Sequence, residues 1–131
     1  MKIDISIGEA IDRLTILKIK LLRIDNYEKL TNVRKEHLLL EKTINNEYPD
    51  IDIFPLRVDH PLFGKLYEIN LQLWDVEDKL RDKEREKKFD TDFIELARSV
   101  YYLNDKRAEI KKEINIEYKS ELIEEKSYQK Y

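Results

Sequence analysis

The feature of this sequence that most constrains its fold is an apolar repeat between residues 62 and 80. Apolar side chains recur there at alternating steps of four and three positions: Leu62, Leu66, Ile69, Leu73, Val76 and Leu80. Residues at these steps share one face of an α-helix, as in the seam of a coiled coil or helical bundle. The repeat is too short for a free coiled coil, so we expect this helix to pack within a bundle.

The composition of the chain also favours long helices. Glycine and proline, which helices exclude, number only two and three in 131 residues. Charged residues make up 40% of the chain, but 25 basic and 28 acidic residues nearly balance and apolar residues recur between them. This pattern is typical of amphipathic helices with solvated outer faces. The length fits a single domain over residues 1–131.

Several classes of function are disfavoured by the composition. A net charge of −3 does not suit general nucleic-acid binding, which needs a basic face. The absence of cysteine excludes disulfides and thiolate metal sites. No run of 18 apolar residues occurs and the polar start Met1-Lys2-Ile3-Asp4 is unlike a signal peptide, so we expect no membrane insertion and a cytoplasmic location.

Apolar spacing predicts an all-α fold, a four-helix antiparallel bundle of two helical hairpins. The predicted helices span about residues 7–24, 26–46, 60–87 and 91–118, with a crossover loop at 47–59 and a C-terminal tail at 119–131. Residues 2–7 alternate polar and apolar side chains, which indicates a short strand or extended arm. The tail carries a second short apolar-polar segment, which either pairs with this arm as a minor β ribbon or forms a loose end.

Capping residues mark the predicted helix starts: Ser6, Asp25, Asp59 and Asp90. Ser6 and Asp25 each precede a glutamate by three residues, the spacing of a capping box. Asp25 therefore predicts a break between the first two helices. Neither glycine nor proline enforces that break, so one continuous helix is the alternative.

The crossover loop is too apolar for a free linker. Its apolar residues are Ile51, Ile53, Phe54, Leu56 and Val58. The loop is also longer than most connections between packed helices. We therefore expect it to cross the bundle and cover an edge of the core.

Polar groups interrupt three of the predicted helices and form the candidate site. They are Glu9, Asp12 and Arg13 on helix one; Asn70, Trp74, Glu77, Asp78 and Arg81 on helix three; and Asn104, Asp105 and Arg107 on helix four. Side-by-side packing would bring these groups together. A guanidinium on an apolar seam needs a carboxylate partner, so we expect Arg107 to pair with Glu77 or Asp78.

This polar group has one structural and two functional interpretations. The favoured interpretation is a buried, fully paired network that fixes the register of the helices. A second is a pocket for an anionic ligand held by Arg107 and Arg13. A third is a divalent-cation site with Asp12, Glu77 and Asp78 as candidate ligands, for which Mg²⁺ is the metal expected with phosphorylated substrates. No cofactor is expected under the first two.

The carboxylate spacing gives limited support to the cation site. Helical Glu-x-x-Glu and Glu-x-x-Asp pairs serve the all-α nucleotide pyrophosphohydrolases, and Glu9-x-x-Asp12 matches one of these spacings. No second pair of this kind stands clearly on another predicted helix. No residue is therefore assigned a catalytic role from the sequence.

Several motifs resemble a small all-helical family of unknown function found in bacteria and phages. They are Ser6-Ile7-Gly8-Glu9 continuing to Asp12-Arg13-Leu14-Thr15-Ile16-Leu17-Lys18-Ile19-Lys20, then Lys29-Leu30-Thr31-Asn32-Val33-Arg34, Leu73-Trp74-Asp75-Val76-Glu77-Asp78, Asn104-Asp105-Lys106-Arg107 and Glu124-Glu125-Lys126-Ser127-Tyr128. The resemblance covers almost the whole chain. It implies an all-helical fold, provides no activity, and suggests that the Glu-Glu-Lys-Ser-Tyr tail matters.

The function predicted from the sequence is a non-enzymatic helical interaction or assembly module with a buried polar network. Helices one and two are shorter than three and four, so a single copy would leave part of the long hairpin uncovered. A homodimer or another protein partner is therefore expected. The alternative is a divalent-metal-dependent hydrolase of nucleotides or other phosphorylated substrates.

Overall fold

The computed structural model describes residues 1–51 and 56–131 and folds them into four helices. They are α1 (Ile7–Arg23), α2 (Tyr27–Glu47), α3 (Pro61–Glu86) and α4 (Thr91–Glu117). Each helix begins and ends within one residue of the position expected from the sequence. The all-α class is confirmed, whereas the predicted minor β ribbon does not form, because no described residue of either terminus belongs to a strand.

Side-chain caps set the start of most helices. The Ser6 Oγ and the Asp90 carboxylate accept hydrogen bonds from the backbone N–H three residues on, at 3.1 and 3.0 Å, as expected. The predicted break after α1 is also confirmed, so the continuous-helix alternative is wrong. The cap of α2, however, is Asn26 rather than Asp25, with its side-chain oxygen 3.0 Å from the N–H three residues on.

The cap of α3 differs from the prediction. His60, not Asp59, caps this helix, because its Nδ1 accepts from two backbone N–H groups of the first turn, at 3.2 and 3.4 Å. Tertiary contacts hold the imidazole there: it stacks on Phe63 with ring centroids 4.1 Å apart, and its Nε2 is 3.0 Å from the Tyr118 hydroxyl. Asp59 is instead exposed and pairs with Arg57 at 3.3 Å.

Helix α1 is the centre of the bundle. It packs against all three other helices, whereas α2 makes no close backbone approach to α3 or α4 in the described chain. Helix α1 lies antiparallel to α4 and parallel to α3, since Gly8 at its start contacts Asn115 and Arg23 at its end pairs with Asp75. The buried core comprises Ile7, Ala10, Ile11, Leu14, Ile44, Ile51, Leu56, Phe63, Leu66, Ile69, Leu73, Ile110 and Ile114.

The connection between α2 and α3 contributes to this core. Ile51 and Leu56 are each only 4% exposed and belong to the core cluster. Val58, which was expected to cover the core, is 44% exposed. The expectation for Ile53 and Phe54 falls on residues outside the described part of the chain.

The α3–α4 hairpin extends well beyond α1. Helix α1 has 17 residues against 26 and 27 in α3 and α4, and its last residue, Arg23, reaches only Asp75. Within the fully described stretch between Leu73 and Ile110, no residue is buried. We call residues 76–104 the uncovered hairpin. Although α3 and α4 are long, none of the described helices is sufficiently apolar along its length to cross a membrane.

Candidate functional site

A polar cluster lies where α1 meets α3 and α4. It consists of Glu9, Asp12, Thr15, Asn70, Arg107 and Lys111. Asn70 is its centre, because its Nδ2 donates to Asp12 Oδ1 at 2.8 Å and to Thr15 Oγ1 at 2.7 Å. Its Oδ1 accepts a hydrogen bond from Arg107 at 3.2 Å. One amide therefore joins all three helices.

The centre of the cluster is removed from solvent. Asp12, Thr15 and Asn70 are 5%, 0% and 4% exposed. A buried polar group without a partner costs several kcal/mol, so a fold that buries three must pair them. In the described chain, no buried side-chain nitrogen or oxygen is left without a hydrogen-bond partner. The cluster is closed rather than waiting for a ligand.

Lys111 occupies the outer end of the cluster. Its ammonium contacts Glu9, lies 3.4 Å from Glu124 and 3.9 Å from Asp12. Burial alone would lower the pKa of Lys111, but the hydrogen bond to Glu9 and the surrounding carboxylates outweigh it and raise that pKa. Burial likewise opposes ionisation of Glu9, yet Lys111 and Arg13 together lower its pKa. Both groups are therefore charged at neutral pH.

The pKa of Asp12 shifts in the opposite direction from the pKa of Glu9. Burial is the largest influence on it and raises its pKa, even though the Asn70 hydrogen bond and the charges of Arg107 and Lys111 act in the other direction. The charged form of Asp12 therefore loses more from its removal from water than it regains from its partners. This buried carboxylate opposes folding at neutral pH.

We expect Asp12→Asn to change the pH dependence of stability. Because the pKa of Asp12 is higher in the folded than in the unfolded chain, its contribution is most favourable below the ordinary aspartate pKa of about 3.9 and is lost as pH rises through the folded pKa. The stability of the natural protein relative to Asp12→Asn should therefore fall as pH rises. Urea unfolding of both proteins between pH 3.5 and 7 measures this change, and a natural protein that gains stability relative to Asp12→Asn as the pH rises would contradict it.

The first turn of α1 is anchored by the C-terminal part of the chain. A helix start leaves backbone N–H groups without helical partners. Here the N–H of Gly8 donates to Asn115 Oδ1 at 2.6 Å, and that of Ile7 donates to Ser120 Oγ at 3.2 Å. Ser6, besides capping α1, donates its hydroxyl hydrogen bond to Glu124. The tail residues thus complete the start of α1.

The structure places the predicted site residues in three different environments. Asp12 and Asn70 form the buried centre of the cluster, and Glu9 and Arg107 are its partly buried members. Arg13 is exposed and pairs with Glu9 at 3.2 Å, so it does not form an anion pocket with Arg107. The remaining residues lie outside the cluster: Trp74, Glu77, Asp78, Arg81, Asn104 and Asp105.

The expected pairing of Arg107 with Glu77 or Asp78 is wrong. Arg107 donates to Asn70, and the carboxylate whose charge it influences is Asp12. Glu77 and Asp78 are exposed, and their side chains form no hydrogen bond or ion pair within the described chain. They lie beyond the end of α1, where no third helix brings polar groups toward them.

The proposed cation ligands are also separated. Asp12 is buried against Asn70, whereas Glu77 and Asp78 face solvent further along α3. In residues 1–51 and 56–131, no three side chains of histidine, aspartate or glutamate are placed to hold one metal ion. The hydrolase interpretation therefore finds no set of metal ligands in this geometry.

Sequence reasoning missed several members of the site. Thr15 lies in the apolar stripe of α1, and Asn115 follows the buried Ile114. A polar residue among core positions was the signal that could have identified both as members of the site. Ser120 and Glu124 lie in a segment with no helical pattern. Only the Glu-Glu-Lys-Ser-Tyr motif suggested that this tail mattered.

These features define a small helical protein whose central helix is fixed by a closed polar cluster. The chain belongs to the Family of unknown function (DUF6165), whose pattern matches residues 1–131. A search of curated proteins and a search of solved structures each found no match.

Proposed function

We propose that this protein is a non-enzymatic assembly module in which two copies associate through the uncovered hairpin. The observation that carries this proposal is the absence of any buried residue between Leu73 and Ile110, in a fully described stretch of two long helices. Helices of this length gain most of their stability from packing of an apolar face. Apart from Tyr131, whose ring packs on Tyr101 and Tyr102, the hairpin has only its own two helices for that purpose.

The closed cluster supports the same interpretation. Its buried groups satisfy one another, so they contribute helix register rather than a vacant binding site. The surface available for binding is then the uncovered hairpin. Exposed apolar side chains there include Phe89 at 55% and Ile94 at 53%.

The shape of the hairpin fits a helical partner. A groove of about 600 Å³ runs between α3 and α4 within it. Leu96 and Ser99 line this groove on α4, and charged side chains of both signs flank them. A helix laid along the groove could cover the seam between α3 and α4 that α1 leaves open.

A second copy is the partner that this surface suits. Residues 76–104 carry eight acidic and seven basic side chains, so two such hairpins meet with almost no net repulsion. A symmetric pair would place two helices of each copy against two of the other, which gives a four-helix arrangement. Each hairpin then supplies the cover that the other lacks.

The mass in solution tests the proposal. Light scattering at micromolar concentrations should give about twice the chain mass of 15.9 kDa. Ile94→Glu should weaken the dimer at least about tenfold, because a carboxylate at an apolar interface costs more than about 1.4 kcal/mol. Ile116→Glu is the matched control, since Ile116 is also an exposed isoleucine of α4 but lies outside the uncovered hairpin.

The variants should differ in association and not in folding. Ile94 and Ile116 are 53% and 61% exposed, so neither substitution should disturb the core. A monomer at all concentrations, or equal weakening by both variants, would refute the hairpin interface.

A further inference from the structure

The C-terminal tail folds back along α4. The chain reverses after α4 at Lys119, which has a φ of 52°, and the Ser120 N–H donates to the Asn115 carbonyl at 2.8 Å. A left-handed residue with such a bond is a common way of ending a helix. We call residues 120–131 the strap.

Two groups of contacts hold the strap to α4. At its base, Glu124 and Glu125 reach two consecutive lysines, with Lys111 Nζ 3.4 Å from Glu124 and Lys112 Nζ 3.0 Å from Glu125. At its end, the ring of Tyr131 packs edge-on against two tyrosines of α4, with centroids 5.2 and 4.9 Å apart.

A hydrogen bond strengthens the contact at the end of the strap. The Tyr131 hydroxyl donates to Asp105, and this bond raises the pKa of Tyr131 to about 12. The hydroxyl therefore remains protonated, and able to donate, at physiological pH. Between the two groups of contacts, residues 126–130 form no hydrogen bond or ion pair to α4 in the part of the chain that the structure describes.

The strap does not fill the surface it covers. A cleft of about 1160 Å³ lies between it and α4, with Ala97, Val100 and Ala108 among the lining residues. All strap residues from 121 to 131 are exposed. Opening the strap loses the exposed ion pair of Lys112 and Glu125, which contributes about 1 kcal/mol or less, and the contacts of Glu124 with Ser6 and Lys111. No strap residue belongs to the core cluster, so the strap can open without unfolding the bundle.

We propose that the α4 surface beneath the strap is an interaction site for an acidic segment followed by an aromatic residue, and that the strap of a second copy occupies it by exchange. The resident strap shows the chemistry that is recognised: two consecutive carboxylates on two consecutive lysines, then a ring on two tyrosines. An incoming strap forms the same contacts that the resident strap loses, as in domain swapping. The unfilled cleft gives it room to enter.

This inference adds a second self-association surface to the proposed assembly role. The strap lies over Tyr101, which belongs to the uncovered hairpin, whereas Phe89 and Ile94 lie outside the contacts of the strap, so each copy would have two neighbouring contacts to other copies. Its test does not depend on hairpin association, because a free peptide is the probe. The Ile94→Glu variant should bind that peptide as the natural protein does.

The ion pair between Lys112 and Glu125 allows a sharp test. The probe is a fluorescent peptide with the sequence of residues 120–131, added to the full-length protein and followed by anisotropy. Glu125→Lys in the protein loosens the resident strap but leaves Lys112 available, so the peptide should bind at least about fivefold more tightly than to the natural protein. Lys112→Glu weakens the resident strap and the incoming peptide alike, so binding should stay close to that of the natural protein and be at least about fivefold weaker than to Glu125→Lys.

The two variants break one ion pair and are expected to give different results, which mere disturbance of structure would not do. Lys112 and Glu125 are both exposed, so circular dichroism should show intact helices. A peptide carrying lysine at the position of Glu125 should bind Lys112→Glu more tightly than the natural peptide does. Equal binding by both variants, or no binding at millimolar peptide, would overturn the proposal.

Discussion

Asn70→Ala is expected to lower the free energy of unfolding by about 3 kcal/mol at pH 7. The substitution removes both donors that reach Asp12 and Thr15 and the acceptor used by Arg107. Asp12 would then remain charged and buried without its nearest donor. The buried Asp12 charge without its donor, more than the lost volume of the amide, accounts for the expected decrease in the free energy of unfolding.

Urea unfolding measures this loss, and two comparisons identify its cause. Gln72→Ala removes an exposed amide from the same helix and should change stability by less than about 0.5 kcal/mol. At pH 4 the loss for Asn70→Ala should shrink, because burial raises the pKa of Asp12 and a larger fraction of its carboxyl groups is neutral as the pH falls. A loss below about 1 kcal/mol, or one that grows on acidification, would show that the cluster does not stabilise the bundle.

Gly8→Ala is expected to lower the free energy of unfolding by about 2 kcal/mol. A Cβ at this position would lie 2.4 Å from the Lys111 carbonyl oxygen and 2.8 Å from Asn115 Oδ1. Alanine favours helices over glycine by about 1 kcal/mol, so helix propensity alone predicts the opposite sign. The clash outweighs the gain in helix propensity, because the Lys111 carbonyl belongs to the backbone of α4 and cannot shift by itself. Helix α1 must therefore move away from α4.

Thermal unfolding measures the change, with Gly64→Ala as the comparison. A Cβ at Gly64 would meet the carbonyl oxygen of Val58 at 2.2 Å, but Val58 lies in an exposed connection that can shift more readily than the middle of α4. The Gly64 variant should therefore lose less. Hydrogen exchange at the Gly8 amide should also accelerate in Gly8→Ala, since its bond to Asn115 would lengthen. An unchanged or raised melting temperature would refute the close approach.

The helix ends could be predicted because they depend on neighbouring residues. Ser6 and Asp90 each satisfy an N–H three residues away, so the cap and the helix start lie in the same short sequence. His60 could not be identified in this way. Its position over α3 depends on Phe63 and on Tyr118, and the second of these lies 58 residues away.

The polar site was predicted in outline, but not in its pairing. Asn70 and Glu77 are seven residues apart on α3, so helical periodicity places them on the same face. The end of α1 near Asp75 distinguishes them, since α1 covers Asn70 and leaves Glu77 in solvent. Which of these two residues is covered depends on the relative alignment of three helices, and the local sequence does not specify that alignment.

The contacts of the tail could not be predicted from the periodicity of the sequence. The contact between Ser6 and Glu124 joins residues 118 positions apart, and Glu124 lies outside every helix. Extended segments bind through individual side chains rather than through a repeated stripe. The motif resemblance could indicate that the tail matters, but only the folded chain shows what it contacts.

The central place of α1 has a consequence for synthesis on the ribosome. Helix α1 is synthesised before the three helices that pack on it, and its partners Asn70, Arg107 and Asn115 are made later. Until then, its broad apolar face has only α2 against it. That face is therefore exposed to association with other chains until α3 and α4 have been made, and the bundle closes only when α4 has left the exit tunnel.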